Sequence, residues 1–394
     1  MRVLHLLDPS IPRRNDYSRR TLALLGQLRA QGVQTVQLTA PAVGARSAIT
    51  AGADGEADRL HAWHFYRTAS PWPGCARVPG LAALAAHCSL AWRLRQIAGL
   101  TRPDLIHVHA PVGNALAALP VAHLARLPLL VEAERRAGGD PAMARLERWA
   151  LGRADALAAG SVEHKLALRG AGLGTGRIAV VPAAPDLEPG PLPPHARAPA
   201  GLDGAPLIVY AGGLGHEDGL DLLLAVLPRL RRRFPTLRLL VAGGGPRENE
   251  LAERLRAPGL RGHVAVTGKL QCRRAADLLP RADIAVFPAL PGGHALLPSR
   301  HILNAMAQAC AVVASDIECH RDLLVHGHSG ILFGAGSGVA LHDALTRLLD
   351  EPWRLPALGR AAAAFVARQR SWAATAARYR RLYELVVTEH RRRG

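Results

Sequence analysis

The sequence predicts an α/β fold of two doubly wound, Rossmann-like parallel-sheet domains, and three observations carry that prediction. Short apolar runs alternate with helix-period stretches twice along the 394 residues, the pattern of βαβ units with parallel strands. A Pro/Gly-rich stretch without periodicity, 182–206, separates the two series. Ala285–Phe333 contains the clearest unit: strand Ala285–Phe287, a Pro/Gly-rich loop, helix Ser299–Ala309 and strand Ala311–Ala314. Ligands of open parallel sheets sit beyond the carboxyl ends of the strands, where helices begin.

In the first domain (1–181), Val3–Leu7 reads as a buried strand and Asp8–Asn15 as the loop after it. Leu22, Leu25 and Leu28 share one face of a helix at Ser18–Gln31, and Gly32 stops it. Val33–Thr39 is the second strand, Pro41–Asp58 a surface loop, His61–Thr68 a further strand and Leu81–Leu100 a long helix. Strands Leu105–His109 and Leu129–Glu134 follow, then helix Ala142–Gly152 with Leu146, Trp149 and Ala150 inward. Strands Ala156–Gly160 and Ile178–Val181 complete the sheet.

The second domain (207–370) opens with strand Leu207–Tyr210, a Gly-rich turn at Ala211–Gly219 and helix Leu220–Phe234. Strand Leu237–Gly243 ends in Gly243-Gly244-Gly245-Pro246, and such glycines let a backbone approach a ligand closely. Helix Glu248–Arg256, strand Val264–Thr267, the exit loop Gly268-Lys269-Leu270 and a short helix at Ala275–Pro280 lead back to the central unit. Helices Gly338–Leu349 and Leu355–Arg370 close the domain. The terminal segment, 371–394, carries Trp372, Tyr379, Leu382, Tyr383 and Val386 as one helical stripe, read as a brace back to the first domain. Its arginines form a solvated face or touch anionic lipid.

A net charge of +18 invites a nucleic-acid reading. Two facts weigh against it. Lys165 and Lys269 are the only lysines, so the basicity is arginine-borne composition, and aromatic content of 4% leaves few stacking platforms. Five cysteines without a CxxC pair point to a reducing compartment and no zinc site. The opening MRVLHLLDPS is broken too early for a signal peptide, and no apolar run reaches spanning length. The expected place is the cytoplasm, at most peripheral to the inner membrane face.

Candidate site residues fall at strand ends. His107 and His109 share a strand face; they pair toward a metal, contact a ligand in a cleft, or serve as hydrogen-bonded structural histidines, and no third metal ligand stands at a recognisable spacing. Ser299 reads as the N-cap of the central helix, with Arg300 and His301 in its first turn. Basic residues there oppose the helix dipole, so they either serve a bound anion or reach away into solvent.

The motifs PDLIHVH (Pro103–His109), LERWALGRAD (Leu146–Asp155), LLVAGGGP (Leu239–Pro246), VTGKL (Val266–Leu270), AMA (Ala305–Ala307), ASDIECHRDLL (Ala314–Leu324) and GHSGILF (Gly327–Phe333) occur in one order. In that order and spacing the chain resembles the retaining family 4 glycosyltransferases over nearly its whole length. The opening LHLLDPSIP and Gly212–Asp221 are most similar to the subgroup associated with exosortase and exopolysaccharide clusters. The resemblance implies a GT-B arrangement, two such domains facing a cleft. It also implies sugar transfer with retention from a UDP- or GDP-linked donor on the second domain to a glycan or lipid-linked acceptor on the first. No metal is expected. Position by position, His109 matches the cleft histidine that contacts the transferred sugar. Gly244 and Gly245 match the turn beneath the donor, Lys269 and Leu270 the segment holding the base, and Gly212 and Gly213 are counted with them as donor-binding positions. Asn304 stands where the second glutamate of an E-x7-E pair grips the ribose, with His301 three residues before it.

The chain departs from the family at several of these points. Leu296 replaces the first glutamate and Asn304 the second, and Gly213 and Asp218 replace a phosphate-binding Arg and Lys. Asp218 is expected to cap the helix after it. Arg14-Asn15-Asp16-Tyr17 lacks the glycine usual before the tyrosine. These losses leave a second reading, a degenerate relative that binds or scaffolds within a polysaccharide-assembly system.

Overall fold

The computed structural model describes residues 1–8, 16–39, 58–60, 63–68, 79–109, 113–133, 141–173, 177–187, 205–257, 259–268, 278–292 and 300–393. The chain divides into two compact units, Met1–Pro182 with Trp372–Gly394, and Ala183–Ser371.

Unit 1 runs β1 (Arg2–Leu7), α1 (Asp16–Ala30), β2 (Gln34–Thr39), β3 (Asp58–Leu60), β4 (Trp63–Arg67), α2 (Pro79–Thr101), β5 (Leu105–Val108), α3 (Asn114–Ala125), β6 (Leu129–Glu132), α4 (Pro141–Leu151), β7 (Ala156–Ala159), α5 (Val162–Gly170) and β8 (Arg177–Val180). Its sheet has the order β3-β4-β2-β1-β5-β6-β7-β8. All neighbours are parallel except β3 and β4. Side chains alternate across the sheet. Leu4, Leu6, Ile106 and Val108 therefore join the core under α2, α3 and α4. Val3, Leu7, Leu105 and Leu130 join the opposite core.

Unit 2 runs β9 (Leu207–Gly213), α6 (Leu220–Arg233), β10 (Arg238–Gly244), α7 (Glu248–Arg254), β11 (Val264–Val266), β12 (Ile284–Phe287), α8 (Arg300–Ala307), β13 (Ala311–Ser315), α9 (Glu318–Arg321), β14 (Ile331–Phe333), α10 (Gly338–Asp350) and α11 (Leu355–Gln369). Its sheet, β11-β10-β9-β12-β13-β14, is parallel throughout. α12 (Trp372–Arg393) returns the chain to unit 1 and packs against α1. It buries Thr375, Ala376, Tyr379, Leu382, Tyr383, Val386 and Val387, one stripe at helical spacing. Arg391 pairs with Asp104 at 2.9 Å and His390 meets the Arg126 carbonyl oxygen at 3.1 Å. Part of the terminal basic cluster is thus tied to its own domain, and α12 continues past Val387 because those partners hold its last turn.

Several expectations need correction. Helices α3, α5 and α9 carry no period that betrays them. α3 is apolar on nearly every side, at its exposed Pro120 and Leu124 as well as on its buried face, and packs against α2 and α4; a helix with almost no polar side shows no amphipathic stripe. α5 is short and begins at Ser161, whose hydroxyl accepts from His164 N. Leu146 and Trp149 lie at the surface, 47% and 49% exposed, while Ala150 is buried. The Arg153 guanidinium lies 4.1 Å above the Trp149 ring, a cation–π contact that suits a rim position. The loop expected to run to Asp58 gives way there to β3, which pairs with β4. β9 continues to Gly213, because Gly212 and Gly213 pair with Gly243 and Gly244 of β10. The stretch read as a linker is anchored at its start, with Leu187 in the core of unit 2. The loop from Pro9, most of 41–57, the linker body at 188–204, and Lys269, Leu270, Ala275, Leu296 and Ser299 lie outside the described residues. Among the described residues no helix is long and apolar enough to cross a membrane.

Candidate functional site

In unit 2 the strand ends are lined by glycine for steric reasons. A Cβ on Gly243 would stand 2.2 Å from the Gly212 carbonyl oxygen, and one on Gly213 2.3 Å from an Asp218 carboxylate oxygen. A Cβ on Gly245 would meet Leu214 N at 3.1 Å. Two strand backbones are pressed together here, closer than any side chain allows. Gly219 has φ +74° and a Cβ would lie 1.9 Å from the Pro288 carbonyl oxygen, so only glycine fits the start of α6. The Tyr210 hydroxyl donates to the Gly213 carbonyl oxygen and fixes the end of β9.

Asp218 does not cap α6. Gly219 takes that place without a side-chain cap, and the Asp218 carboxylate instead accepts from Gly215 N at 2.9 Å, closing its own loop. Burial raises the Asp218 pKa, helped by Glu217 and opposed by the Gly215 bond and by His301. The charge of His301 therefore reaches the β9–α6 loop, so the structure brings Gly213, Asp218 and the first turn of α8 together. Arg247, just beyond the Gly243–Gly245 turn, is spent on Asp221 at 2.7 Å and Glu250 at 2.7 Å, with Arg254 also on Asp221.

Asn304 is 2% exposed, and its Oδ1 accepts from Asp186 N at 2.8 Å and Leu187 N at 3.2 Å. The oxygen expected to grip a ribose is committed to the backbone that enters unit 2. Arg300 and His301 are partly exposed in the first turn of α8.

His109 belongs to unit 1, and its environment differs from the expected one. Its ring is 3% exposed and both nitrogens are engaged. Nε2 lies 3.0 Å from His5 Nδ1, and Nδ1 lies 3.0 Å from Glu132 Oε1. Register explains the meeting: His5 of β1 stands opposite His107 of β5, and β6 brings Glu132 alongside. α12 covers the group. The Tyr383 hydroxyl lies 2.8 Å from His107 Nδ1, and the Tyr379 hydroxyl donates to Glu132 Oε1 at 2.5 Å. Burial, reinforced by His109, holds the His107 pKa down to about 4, and holds His5 well below its ordinary value. Burial pushes the Glu132 carboxyl up, but His109 and His107 outweigh it and keep it well below the usual carboxylate range.

Sequence reasoning saw the His107–His109 pair and missed His5, Glu132, Tyr379 and Tyr383 as their partners. The available signal was His5 itself, a polar residue in the otherwise apolar run VLHLL. The third histidine, expected nowhere by spacing, arrives through β1: one ring nitrogen from each of His5, His107 and His109 lies within 4.8 Å of the others.

Comparison with known proteins follows the same division. The "Glycosyl transferase 4-like domain" family matches residues 17–184 and "Glycosyl transferases group 1" matches 205–351. A phosphatidyl-myo-inositol mannosyltransferase of Mycolicibacterium smegmatis is 33% identical over 190 residues, 47% of this chain and 47% of its own length. The chain spans less than half the length of the curated relatives that head the comparison. Among solved structures, a sucrose-phosphate synthase from Thermosynechococcus elongatus superposes with TM-score 0.73 at 17% identity, covering 99% of this chain and 100% of its own. Anabaena HepE in complex with UDP-glucose gives 0.69 at 15% identity, covering 98% and 99%.

Proposed function

Because the chain belongs to the GT4-type glycosyltransferases and has their GT-B fold of two parallel-sheet α/β units, we propose that it transfers a sugar from a UDP- or GDP-linked donor, with retention, to a polysaccharide or glycolipid acceptor. The observation that carries this reading is the glycine-lined end of β9 and β10 beside the first turn of α8. Gly213 and Gly243–Gly245 carry no side chain to keep a ligand from the strand-end backbone, a phosphate there would displace the Glu248 carboxylate from Gly245 N, and the α8 dipole with Arg300 and His301 favours the charge that develops on a departing diphosphate. Lys269 and Leu270 would meet the base and Asn304 the ribose side, through its amide nitrogen, since its oxygen serves Asp186 and Leu187. Unit 1 would receive the acceptor, and His109 would reach the transferred sugar only by exchanging its bond to His5. The HepE complex, a UDP-glucose-binding protein of this fold, supports the donor class. An exopolysaccharide acceptor, and a peripheral position on an anionic inner membrane face helped by the arginines of α12, complete the proposal.

Calorimetry against a panel of UDP-, GDP- and ADP-sugars tests it. One base class should bind, with affinity unchanged by added Mg2+ because the phosphates need no metal. Arg300→Ala with His301→Ala should weaken binding about 10–100-fold, the loss of one charge-assisted contact worth roughly 1.5–3 kcal/mol. Absence of heat with every nucleotide sugar at millimolar concentration would sink the reading and leave the scaffolding alternative.

A further inference from the structure

Unit 1 holds three imidazoles in contact that the protein's own groups do not satisfy. Ring centroids are 4.0 Å apart for His107 and His109, 5.3 Å for His5 and His109, and 5.4 Å for His5 and His107. The ionised Glu132 accepts the His109 Nδ1 proton, so His109 presents the Nε2 lone pair to His5. His5 must then donate from Nδ1, which leaves its Nε2 as a bare lone pair. That nitrogen is buried and has no hydrogen-bond partner among the described residues, and neither has His107 Nε2, which lies 3.5 Å from Glu132 Oε1. Buried polar atoms are nearly always partnered, so the orphan on His107 beside the His5–His109 pair points to a ligand that takes lone pairs and shifts the protons of the cluster.

We propose that His5, His107 and His109 hold a divalent transition-metal ion, Zn2+ by ligand preference, with Glu132 orienting the set. Imidazole nitrogen suits zinc at about 2.0–2.1 Å, which places two such ligands about 3.3 Å apart. The His5 Nδ1–His109 Nε2 pair stands at 3.0 Å, close to that spacing, and one nitrogen of each ring lies within 4.8 Å of the others; binding requires His5 to carry its proton on Nε2 and the His107 ring to close in by up to about 1.5 Å. Neutral imidazole is the ligating form, and burial favours it in His5 and His107. A carboxylate on the far nitrogen of a ligating histidine is the usual outer-shell arrangement; Glu132 supplies it to His109, with Tyr379 holding Glu132 in turn. The Glu132 side chain is 24% exposed and gives the ion its entry path. The ion would join β1 and β5 and, through Glu132 and Tyr383, α12. It is separate from the donor phosphates of unit 2, but it takes His109 Nε2, so an occupied site replaces the sugar contact proposed above for His109.

Untagged full-length protein should carry about one equivalent of zinc by mass spectrometry. After exchange, Co2+ should give the visible absorption of a tetrahedral nitrogen site, and zinc should abolish it. His5→Gln and His107→Gln, checked for folding by circular dichroism, should lose the equivalent, and Glu132→Gln should weaken affinity about 10–100-fold. Wild-type protein that is folded but shows neither bound zinc nor a cobalt band at millimolar Co2+ overturns the proposal. So does retention of the metal in both folded histidine variants, which would assign it to other histidines among the 18 in the chain. If neither variant folds, the cobalt spectrum of the wild type decides alone.

Discussion

At the ends of β1, β5 and β6, unit 1 crowds three imidazoles, a carboxylate and two phenols under α12. At the ends of β9 and β10, unit 2 places Gly212, Gly213, Gly243, Gly244 and Gly245; an added carbon on Gly243 would collide with the Gly212 carbonyl oxygen, and one on Gly212 or Gly245 would crowd Tyr210 or Leu214. Both sheets are parallel at these ends, and both have helices on their faces. The difference lies in what the paired residues near these ends carry. In unit 1 they carry side chains that satisfy one another only in part. In unit 2 they carry none, and the nearby charges are committed to each other: Arg247 to Asp221 and Glu250, Asp218 to its own loop. One end is a packed polar core, the other a glycine cradle.

Substitutions can break or sharpen that contrast. The largest effect is expected from Gly219→Ala, which combines a left-handed backbone with a contact to the Pro288 carbonyl oxygen that a side chain cannot share. Roughly 2–5 kcal/mol of unit 2 stability should be lost in urea unfolding; a loss under about 1 kcal/mol would mean the cradle is looser than described. Asn304→Ala should cost about 1–3 kcal/mol, because the Asp186 and Leu187 N–H groups lose their acceptor. Asn304→Asp, which keeps an oxygen there, should cost less, and equal costs would remove the acceptor role from the account. In unit 1, Tyr379→Phe should cost roughly 1.5–3 kcal/mol, as expected for a hydrogen bond to a charged partner; a negligible cost would show the phenol to be idle. Trp149→Ala, on the half-exposed rim of α4, should stay within about 0.5 kcal/mol apart from its contact with Arg153.

The smallest expected effect is a pH slope. His320 is 2% exposed, its Nδ1–H donates to the Ser315 carbonyl oxygen at 2.8 Å, and burial, only partly opposed by that bond, holds its pKa below the ordinary 6.5. Below pH 6.5 the unfolded chain takes up a proton that the folded one refuses. Unit 2 should therefore lose stability as pH falls from 6.5 toward the folded-state value, and be constant in this respect above it. The slope should flatten in His320→Gln, and an unchanged slope would move its origin to another group.

Much of the architecture was legible because it depends on local pattern. Apolar runs such as Leu207–Tyr210 and Ala311–Ala314, with helix-period stretches between them, fix strand, helix and strand whatever surrounds them. α3 escaped because a helix apolar on nearly every side, its exposed Leu124 included, leaves no stripe, and Trp149 misled because its spacing reads as buried although the residue is half-exposed. At the site, the glycines of β10 were visible as a motif. The engagement of Asn304 with the entering backbone was not, since its partners lie 118 and 117 positions away in sequence.

By itself, the sequence determined the two alternating α/β series, the break between them and the terminal helix. These follow from side-chain period and turn chemistry, which act over a few residues. Only the tertiary structure decided that His5 meets His109, that Glu132 and two tyrosines surround them, and that Asp218 closes its own loop. Those contacts depend on which strands are neighbours and in what register. That choice is made by long-range packing of the sheet, and a one-residue slip in β1 would have sent His5 to the opposite face.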